Sequence, residues 1–114
     1  MDFVVEKELL PRDVVLLKVS GFLDAHTFEQ LEEHIGDLFG QGRYRVVLDL
    51  SGVDYVSSAG AGVLINSLPE AEENDGRMVI LNPGKGVMDV FRLYGLDQVF
   101  AIVGNREEAL ALFA

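Results

Sequence analysis

The sequence predicts a single α/β domain: a mixed, mostly parallel sheet of about five strands with about four helices, in the order β-β-α-β-α-β-α-β-α. Its 114 residues are the length of one domain, so residues 1–114 are assigned to one unit. Apolar stretches with the two-residue period of strands alternate with stretches of helical period. Because strands that alternate with helices form parallel sheets, only the opening pair of strands is expected to be antiparallel.

The first half of the chain begins with two strands and a helix. Residues 3–9 alternate apolar and mostly charged side chains, as in a strand with one wet face, whereas residues 14–19 are apolar almost throughout, as in a strand covered on both faces. The helical period that follows has Asp24 as its predicted N-cap, and Gly40 and Gly42 end it. Right-handed crossovers should cover both faces of the sheet.

The middle of the chain is predicted as strand, loop and helix. A buried strand at residues 44–50 and a short segment at 53–56 precede a loop at 57–62, in which two serines can cap the next helix. Pro69 lies well inside that helix, and it predicts a kink or a restart there. The remaining elements are a strand at 78–81, a helix at 87–94, a strand at 99–103 and a last helix that opens with a capping box of Asn105 and Glu108.

Charge and composition exclude several classes of partner. The chain has 9 Lys and Arg against 19 Asp and Glu, a net charge of −10, which argues against binding to nucleic acid or to anionic lipid. No apolar run approaches the roughly 20 residues of a membrane-spanning helix, and no signal peptide opens the sequence. With no cysteine, disulfides and thiolate sites are excluded, and we expect a cytoplasmic protein without membrane insertion.

The motifs of common catalytic sites are missing. There is no P-loop sequence, and the run that starts at Gly60 and Gly62 has Ile65 where a dinucleotide fingerprint needs its third glycine. His26 and His34 lie about two helical turns apart, too far to share a metal ion. We therefore expect no enzyme activity, no catalytic residues, no cofactor and no metal.

Residues 46–64, with the sequence VVLDLSGVDYVSSAGAGVL, resemble the signature of STAS domains, in particular the bacterial anti-sigma factor antagonists. The segment GFLDA at residues 21–25 is similar to the entry to the family's first helix, and the element order fits over essentially the whole chain. In that family a serine at a helix N-terminus is phosphorylated by the anti-sigma factor. Aligned through Gly60 and Gly62, it falls on Ser58, which lies between Ser57, where the family usually has an acidic residue, and Ala59.

The resemblance implies a role in a partner-switching cascade. The unphosphorylated chain would bind an anti-sigma factor that is also a serine kinase, and phosphorylation of Ser58 would release it; a phosphatase is a further candidate partner. The alternative is a STAS docking subunit of a transporter or a multiprotein complex that is not phosphorylated. Oligomeric state is left open by either version.

The carboxyl ends of parallel strands meet at one edge of a sheet, so residues 21–24, 57–62 and 82–86 are expected to lie near each other and to form the partner surface. Gly60 and Gly62 would each destabilise a helix by about 1 kcal/mol relative to alanine. The close approach of a partner or of a neighbouring strand would explain why glycine occupies these positions. The predicted partner-binding residues are Gly21, Asp24, Ser57, Ser58, Ala59, Gly60, Gly62, Asn82 and Gly84.

Overall fold

The computed structural model describes residues 2–114 and confirms the predicted fold class and the order of strands and helices. Within these residues, no helix has both the length and the hydropathy that crossing a membrane requires. The elements are β1 (Val4–Leu10), β2 (Val14–Leu23), α1 (Phe28–Gly40), β3 (Arg45–Val56), α2 (Ser58–Glu73), β4 (Arg77–Leu81), α3 (Lys85–Tyr94), a short 3-10 helix (Leu96–Gln98), β5 (Ala101–Val103) and α4 (Arg106–Ala111).

The five strands lie in the sheet in their order along the chain. β1 pairs with β2 in antiparallel fashion, and the three remaining pairs of strands are parallel. Because each crossover moves in the same direction across the sheet, the right-handed rule places α1, α2 and α3 on the same face. There they enclose the main core, whereas Ala109 of α4 and Phe113, which follows this helix, cover part of the other face. The expectation that crossovers cover both faces is therefore wrong.

The two covered faces explain why β2 is apolar almost throughout. Its residues Val15, Leu17 and Val19 point into the core below the three crossover helices, and Val14 and Leu16 point toward α4. All five are at most 1% exposed. β1 has only one neighbouring strand and remains largely exposed, as its alternating sequence predicts.

β3 is longer than the sequence suggested, because the two predicted segments, 44–50 and 53–56, form one continuous strand from Arg45 to Val56. Two register shifts against β2 accommodate two extra residues of β3 as bulges. β4 ends opposite Asp49, which itself pairs with Lys18. From that level β2 continues to Leu23 and extends about 17 Å further at 3.3 Å per residue, so β2 and β3 form a protruding edge.

Helix α1 begins later than predicted. Its N-cap is Thr27 rather than Asp24, because the chain first makes a turn in which the Asp24 carbonyl accepts the N–H of Phe28. The Thr27 hydroxyl donates to the Phe22 carbonyl at 2.6 Å and accepts the Asp24 N–H at 2.9 Å. The Asp24 carboxylate accepts the N–H of His26. Asp24 therefore stabilises the turn before the helix, and its prediction as N-cap is wrong.

Helix α2 begins at Ser58, so most of the predicted loop at residues 57–62 is helical. The helix continues through Pro69 to Glu73 without the predicted restart. Pro69 leaves the carbonyl of Ile65 without a helical partner. Both residues are exposed, so water can satisfy that carbonyl.

The C-terminal region confirms Asn105 as the cap of the last helix, whereas the last strand is shorter than predicted. The Asn105 side chain accepts the N–H of Glu108 at 2.9 Å. The Glu108 carboxylate accepts the N–H of Gly104 rather than that of Asn105, so the capping box is only half formed. Of the predicted strand at residues 99–103, only Ala101–Val103 pairs with β4. The residues before it close a 3-10 turn, in which the N–H of Val99 donates to the Leu96 carbonyl.

Helix α4 is attached to the sheet at both of its ends. At its start, Arg106 makes a bidentate ion pair with Glu8 of β1, at 2.7 and 2.8 Å, and this guanidinium lowers the pKa of Glu8. At its end, cations complement the negative pole of the helix dipole. Three arginines donate to the last carbonyls of the chain: Arg12 to Leu110, Arg77 to Leu112 and Arg45 to Phe113.

Substitution of Arg45 by methionine is expected to lower the free energy of unfolding by about 1.5–3 kcal/mol, since hydrogen bonds from a charged donor are the stronger ones. Arg45 donates to the carbonyls of Arg12 and Phe113, and its guanidinium lies 5.3 Å from the centre of the Phe113 ring. Urea unfolding measures the change. Arg92→Met is the control, because Arg92 makes only an exposed ion pair with Asp89, and it should change stability by less than about 0.5 kcal/mol. Equal losses in the two variants would contradict this role of Arg45.

Candidate functional site

The protruding edge brings together two of the three predicted loops. Leu23 and Val56, the last residues of β2 and β3, are register partners. Immediately beyond them, the N–H of Ser57 donates to the Leu23 carbonyl at 2.9 Å. The turn that contains Asp24 and the start of α2 are therefore neighbours, as the sequence predicted.

The two serines at this edge have different positions. Ser57 has an extended backbone and is the N-cap of α2: its side chain accepts the N–H of Gly60 at 3.3 Å, and its carbonyl accepts the N–H of Ala61. Ser58 is the first residue of the helix and is exposed. Because Ser57 does the capping, the hydroxyl of Ser58 is not needed to begin the helix.

The two glycines of α2 differ in what surrounds them. A Cβ on Gly60 would lie 2.6 Å from both the Cγ and the carbonyl oxygen of Leu23, so only glycine allows the helix to approach β2 this closely. A Cβ on Gly62 would meet nothing within 4 Å. Of the two explanations that the sequence left open, a neighbouring strand accounts for Gly60, and nothing inside the fold accounts for Gly62.

Gly21 has a structural reason to be glycine as well. Its φ of +102° lies in the region that favours glycine, and a Cβ there would lie 2.8 Å from the carbonyl oxygen of Asp2. Gly21 is buried and shapes the end of β2, and its role in partner binding stays a prediction.

The third predicted loop lies lower on the sheet. The N–H of Asn82 donates to the carbonyl of Val103, and Asn82 lines a surface cavity with Asp49 and Gly104. Gly84 is the N-cap of α3. Because β4 ends about 17 Å before β2 does, the loop after it starts at a different level from Ser58, and the predicted gathering of all three loops is only partly realised.

The charge at the protruding edge is acidic. The stretches 19–42 and 46–76 contain Asp and Glu but no Lys or Arg. They include the ends of β2 and β3 and the helices α1 and α2. Asp54 is the acidic residue nearest to Ser58 along the chain, and Asp24 follows Leu23, whose carbonyl accepts the N–H of Ser57. His, Asp and Glu side chains form no group of three or more that could hold a metal ion within residues 2–114. The arginines of β3 and β4 lie instead at the opposite ends of these strands, at Arg45 and Arg77.

Sequence reasoning missed two aromatic residues at this edge. Phe22 and Tyr55 are register partners on β2 and β3, 47% and 51% exposed, and their rings form an edge-to-face pair with centroids 6.3 Å apart. The signal that could have revealed Phe22 was the alternation along β2, which places its side chain on the other face of the sheet from that of the buried Leu23. The bulges of β3 hide the corresponding signal for Tyr55.

Comparison with known proteins assigns this fold to a family. A sequence model of the STAS domain matches residues 6–109. The chain is 33% identical to BtrV of Bordetella bronchiseptica over 95 residues, and this aligned stretch covers 83% of this chain and 82% of that protein. It is 31% identical over 90 residues to the anti-sigma F factor antagonist of Lysinibacillus sphaericus, covering 78% and 77% of the two chains.

Solved structures agree with this assignment. The unphosphorylated form of the anti-sigma factor antagonist SpoIIAA superposes with a TM-score of 0.81 at 28% identity, over 94% of this chain and 93% of SpoIIAA. An anti-sigma factor antagonist from Mycobacterium paratuberculosis superposes with a TM-score of 0.88 at 25% identity, over 98% and 94% of the two chains. The chain therefore belongs to the STAS domain family and resembles its anti-sigma factor antagonists.

Proposed function

We propose that this chain is an anti-sigma factor antagonist that works as a switch in the cytoplasm, without catalytic activity of its own. Unphosphorylated, it binds an anti-sigma factor that is also a serine kinase. Phosphorylation of Ser58 by that partner ends the binding, and a phosphatase restores it. The relatives named as anti-sigma factor antagonists, and the similarity to SpoIIAA, which has also been solved in a phosphorylated form, support this proposal.

The observation that carries the proposal is that Ser57 caps α2 whereas Ser58 is exposed and does not cap it. The family usually has an acidic residue at the position of Ser57, and Asp and Ser are about equally good N-caps. Ser57 thus keeps the capping function in this chain. The exposed hydroxyl of Ser58 remains free for a kinase, at the tip of the protruding edge.

The position of Ser58 explains why a phosphate would leave the fold intact. A phosphoserine carries about −1.5 to −2 charges at neutral pH. As the first residue of α2, it would face the unpaired N–H groups of the first helical turn and the positive end of the helix dipole, a favourable interaction of roughly 0.3–1 kcal/mol. The modification should therefore act on the complex rather than on the stability of the free protein.

A phosphate at this place would oppose docking in two ways. A surface in contact with Ser58 would have to remove water from a doubly charged group, and no Lys or Arg of the adjoining residues 46–76 could compensate it. A kinase with its nucleotide beside the serine would add repulsion between the new phosphate and the phosphates of the nucleotide. Bulk charge matters little in comparison, since the chain already carries −10.

The decisive experiment incubates the chain with ATP and each anti-sigma factor with a kinase domain from the same genome, and follows the mass. We expect one added phosphate in the wild type and in Ser57→Ala, and none in Ser58→Ala. In binding titrations, Ser58→Ala should retain its affinity, and Ser58→Asp should lose at least about tenfold, or ~1.4 kcal/mol. Ser57→Ala is a matched control, because it removes a hydroxyl one residue away at a cost of about 1 kcal/mol of stability.

Two results would contradict the proposal. An added phosphate that persists in Ser58→Ala would move the modified site elsewhere. Full binding by Ser58→Asp, together with no added phosphate in the wild type, would favour instead the docking subunit that is never phosphorylated.

A further inference from the structure

We infer that the partner surface extends from Ser58 over the sheet edge onto the exposed pair of Phe22 and Tyr55, and that these rings insert into an apolar groove of the partner that is bordered by cations. This inference rests on the proposed function, because the partner meant is the anti-sigma factor that Ser58 regulates. It adds a binding surface on the face of the sheet opposite to α1, α2 and α3.

The pair lies on the part of the sheet that no helix covers. Phe22 follows the same alternation along β2 as Leu16, which packs toward α4. That helix reaches the sheet only as far as the level of Glu8 and Arg106, whose ion pair fixes its first residue. Beyond this level the open face continues to Phe22 and Tyr55, and Val4 beside them is 40% exposed.

The rings are exposed, and hydrogen bonds hold the backbone that carries Phe22. The Phe22 carbonyl accepts the Thr27 hydroxyl at 2.6 Å, and the next carbonyl, that of Leu23, accepts the N–H of Ser57. The two rings support each other edge to face, with an interplanar angle of 78°. Fixed aromatic side chains lose little conformational entropy on binding, which is why they are frequent among the residues that dominate interfaces.

The surface is continuous with the proposed phosphorylation site. Tyr55 and Ser58 are three residues apart, so their Cα atoms lie within about 11 Å even in a fully extended chain. A partner surface of ordinary size, about 800 Å² on each side, would readily cover both. The phosphate on Ser58 would then be added within the same interface as the aromatic pair.

Charge selects the occupant. All formally charged residues in the stretches 19–42 and 46–76 are acidic, so a partner with cations around its groove is favoured. A second copy of this chain would bring the same acidic edge and another net charge of −10, which disfavours self-association through this surface.

Binding titrations test the inference with four variants. The probe is the anti-sigma factor from the same genome that binds the wild-type chain. Phe22→Thr and Tyr55→Thr remove each ring but introduce threonine, which strands also favour, and each should weaken binding at least tenfold. Tyr55→Phe keeps the ring and should bind within about twofold of the wild type. Leu9→Thr is the matched control and should have no effect on binding. Leu9 is an apolar strand residue that is 61% exposed, and it lies at the end of β1 that is far from Phe22.

A second measurement avoids variants that fold poorly. Hydroxyl-radical footprinting of the wild-type chain should show Tyr55 protected in the complex, and Tyr94, which is 49% exposed at the end of α3, serves as the internal reference. The inference would be overturned if both threonine variants bind with unchanged affinity and Tyr55 is as reactive in the complex as in the free chain. Ser58→Asp tests the proposed function separately. A change in self-association instead would make the pair a contact between copies. Failure of the wild type to bind any anti-sigma factor would remove the proposed function, and this inference with it.

Discussion

The variant Gly60→Ala is expected to unfold at a lower urea concentration than the wild type, with a loss of about 1–3 kcal/mol, whereas Gly62→Ala should gain about 0.5–1 kcal/mol. The new methyl group at residue 60 would lie 2.6 Å from the Leu23 carbonyl, which cannot move away without losing the N–H of Ser57. At residue 62 the methyl group meets nothing within 4 Å, and alanine is the better helix former.

Gly36→Ala is the matched control for this pair of variants. Gly36 lies inside α1, again with nothing within 4 Å of a Cβ, so it should gain stability like Gly62→Ala. Equal stabilisation of all three variants would show that α2 does not need to approach β2 closely. If Gly62→Ala gains stability but loses affinity for the anti-sigma factor, the smallness of Gly62 serves the partner rather than the fold.

The second large effect is expected from Leu64→Ala, which should cost about 2–5 kcal/mol. Leu64 is fully buried in the main core and attaches α2 to the sheet six residues after Ser58. Its truncation removes apolar burial and leaves a cavity below the helix that carries the proposed phosphorylation site. Thermal or urea unfolding measures the loss.

The control for this variant makes the same substitution in another helix. Leu93 in α3 is 77% exposed, so Leu93→Ala should change the free energy of unfolding by no more than about 0.5 kcal/mol. Similar losses at residues 64 and 93 would mean that α2 is not held to the sheet by this core. A partly unfolded Leu64→Ala protein that is still phosphorylated only at Ser58 would separate recognition by the kinase from the stability of the domain.

Much of the fold follows from local patterns in the sequence. The strand at residues 14–19 and the helix ending at Gly40 were predictable, because burial imposes periods of two and 3.6 on the side chains. The cap formed by Asn105 was predictable for a similar reason, since its partner Glu108 is only three residues away. The glycines that follow α1 and α3, Gly42 and Gly95, both have positive φ, as their positions after helices suggest.

The errors arise where a residue meets a partner that is distant in the sequence or competes with a near one. Asp24 was predicted as a helix cap from its spacing, but the Thr27 hydroxyl binds the Phe22 carbonyl and shifts the start of the helix. The length of β3 depends on its pairing with β2, and the strand period cannot reveal bulges that the pairing creates. Pro69 was expected to kink or restart α2, and the helix continues through it without a restart, since the carbonyl that loses its partner is on the exposed residue Ile65.

The sequence by itself determined the fold class, the order of the elements and the candidate serine. It also left two equivalent explanations for Gly60 and for Gly62, and it could not distinguish the capping serine from the free one. Only the tertiary structure decided these points. The surroundings of each glycine depend on which atoms of β2 lie next to α2, and the capping serine depends on where β3 ends and α2 begins. The contact of Gly60 with Leu23 and the hydrogen bond from Ser57 to Leu23 join residues more than thirty positions apart. Such contacts are set by strand register, and a one-dimensional pattern of apolar residues does not contain it.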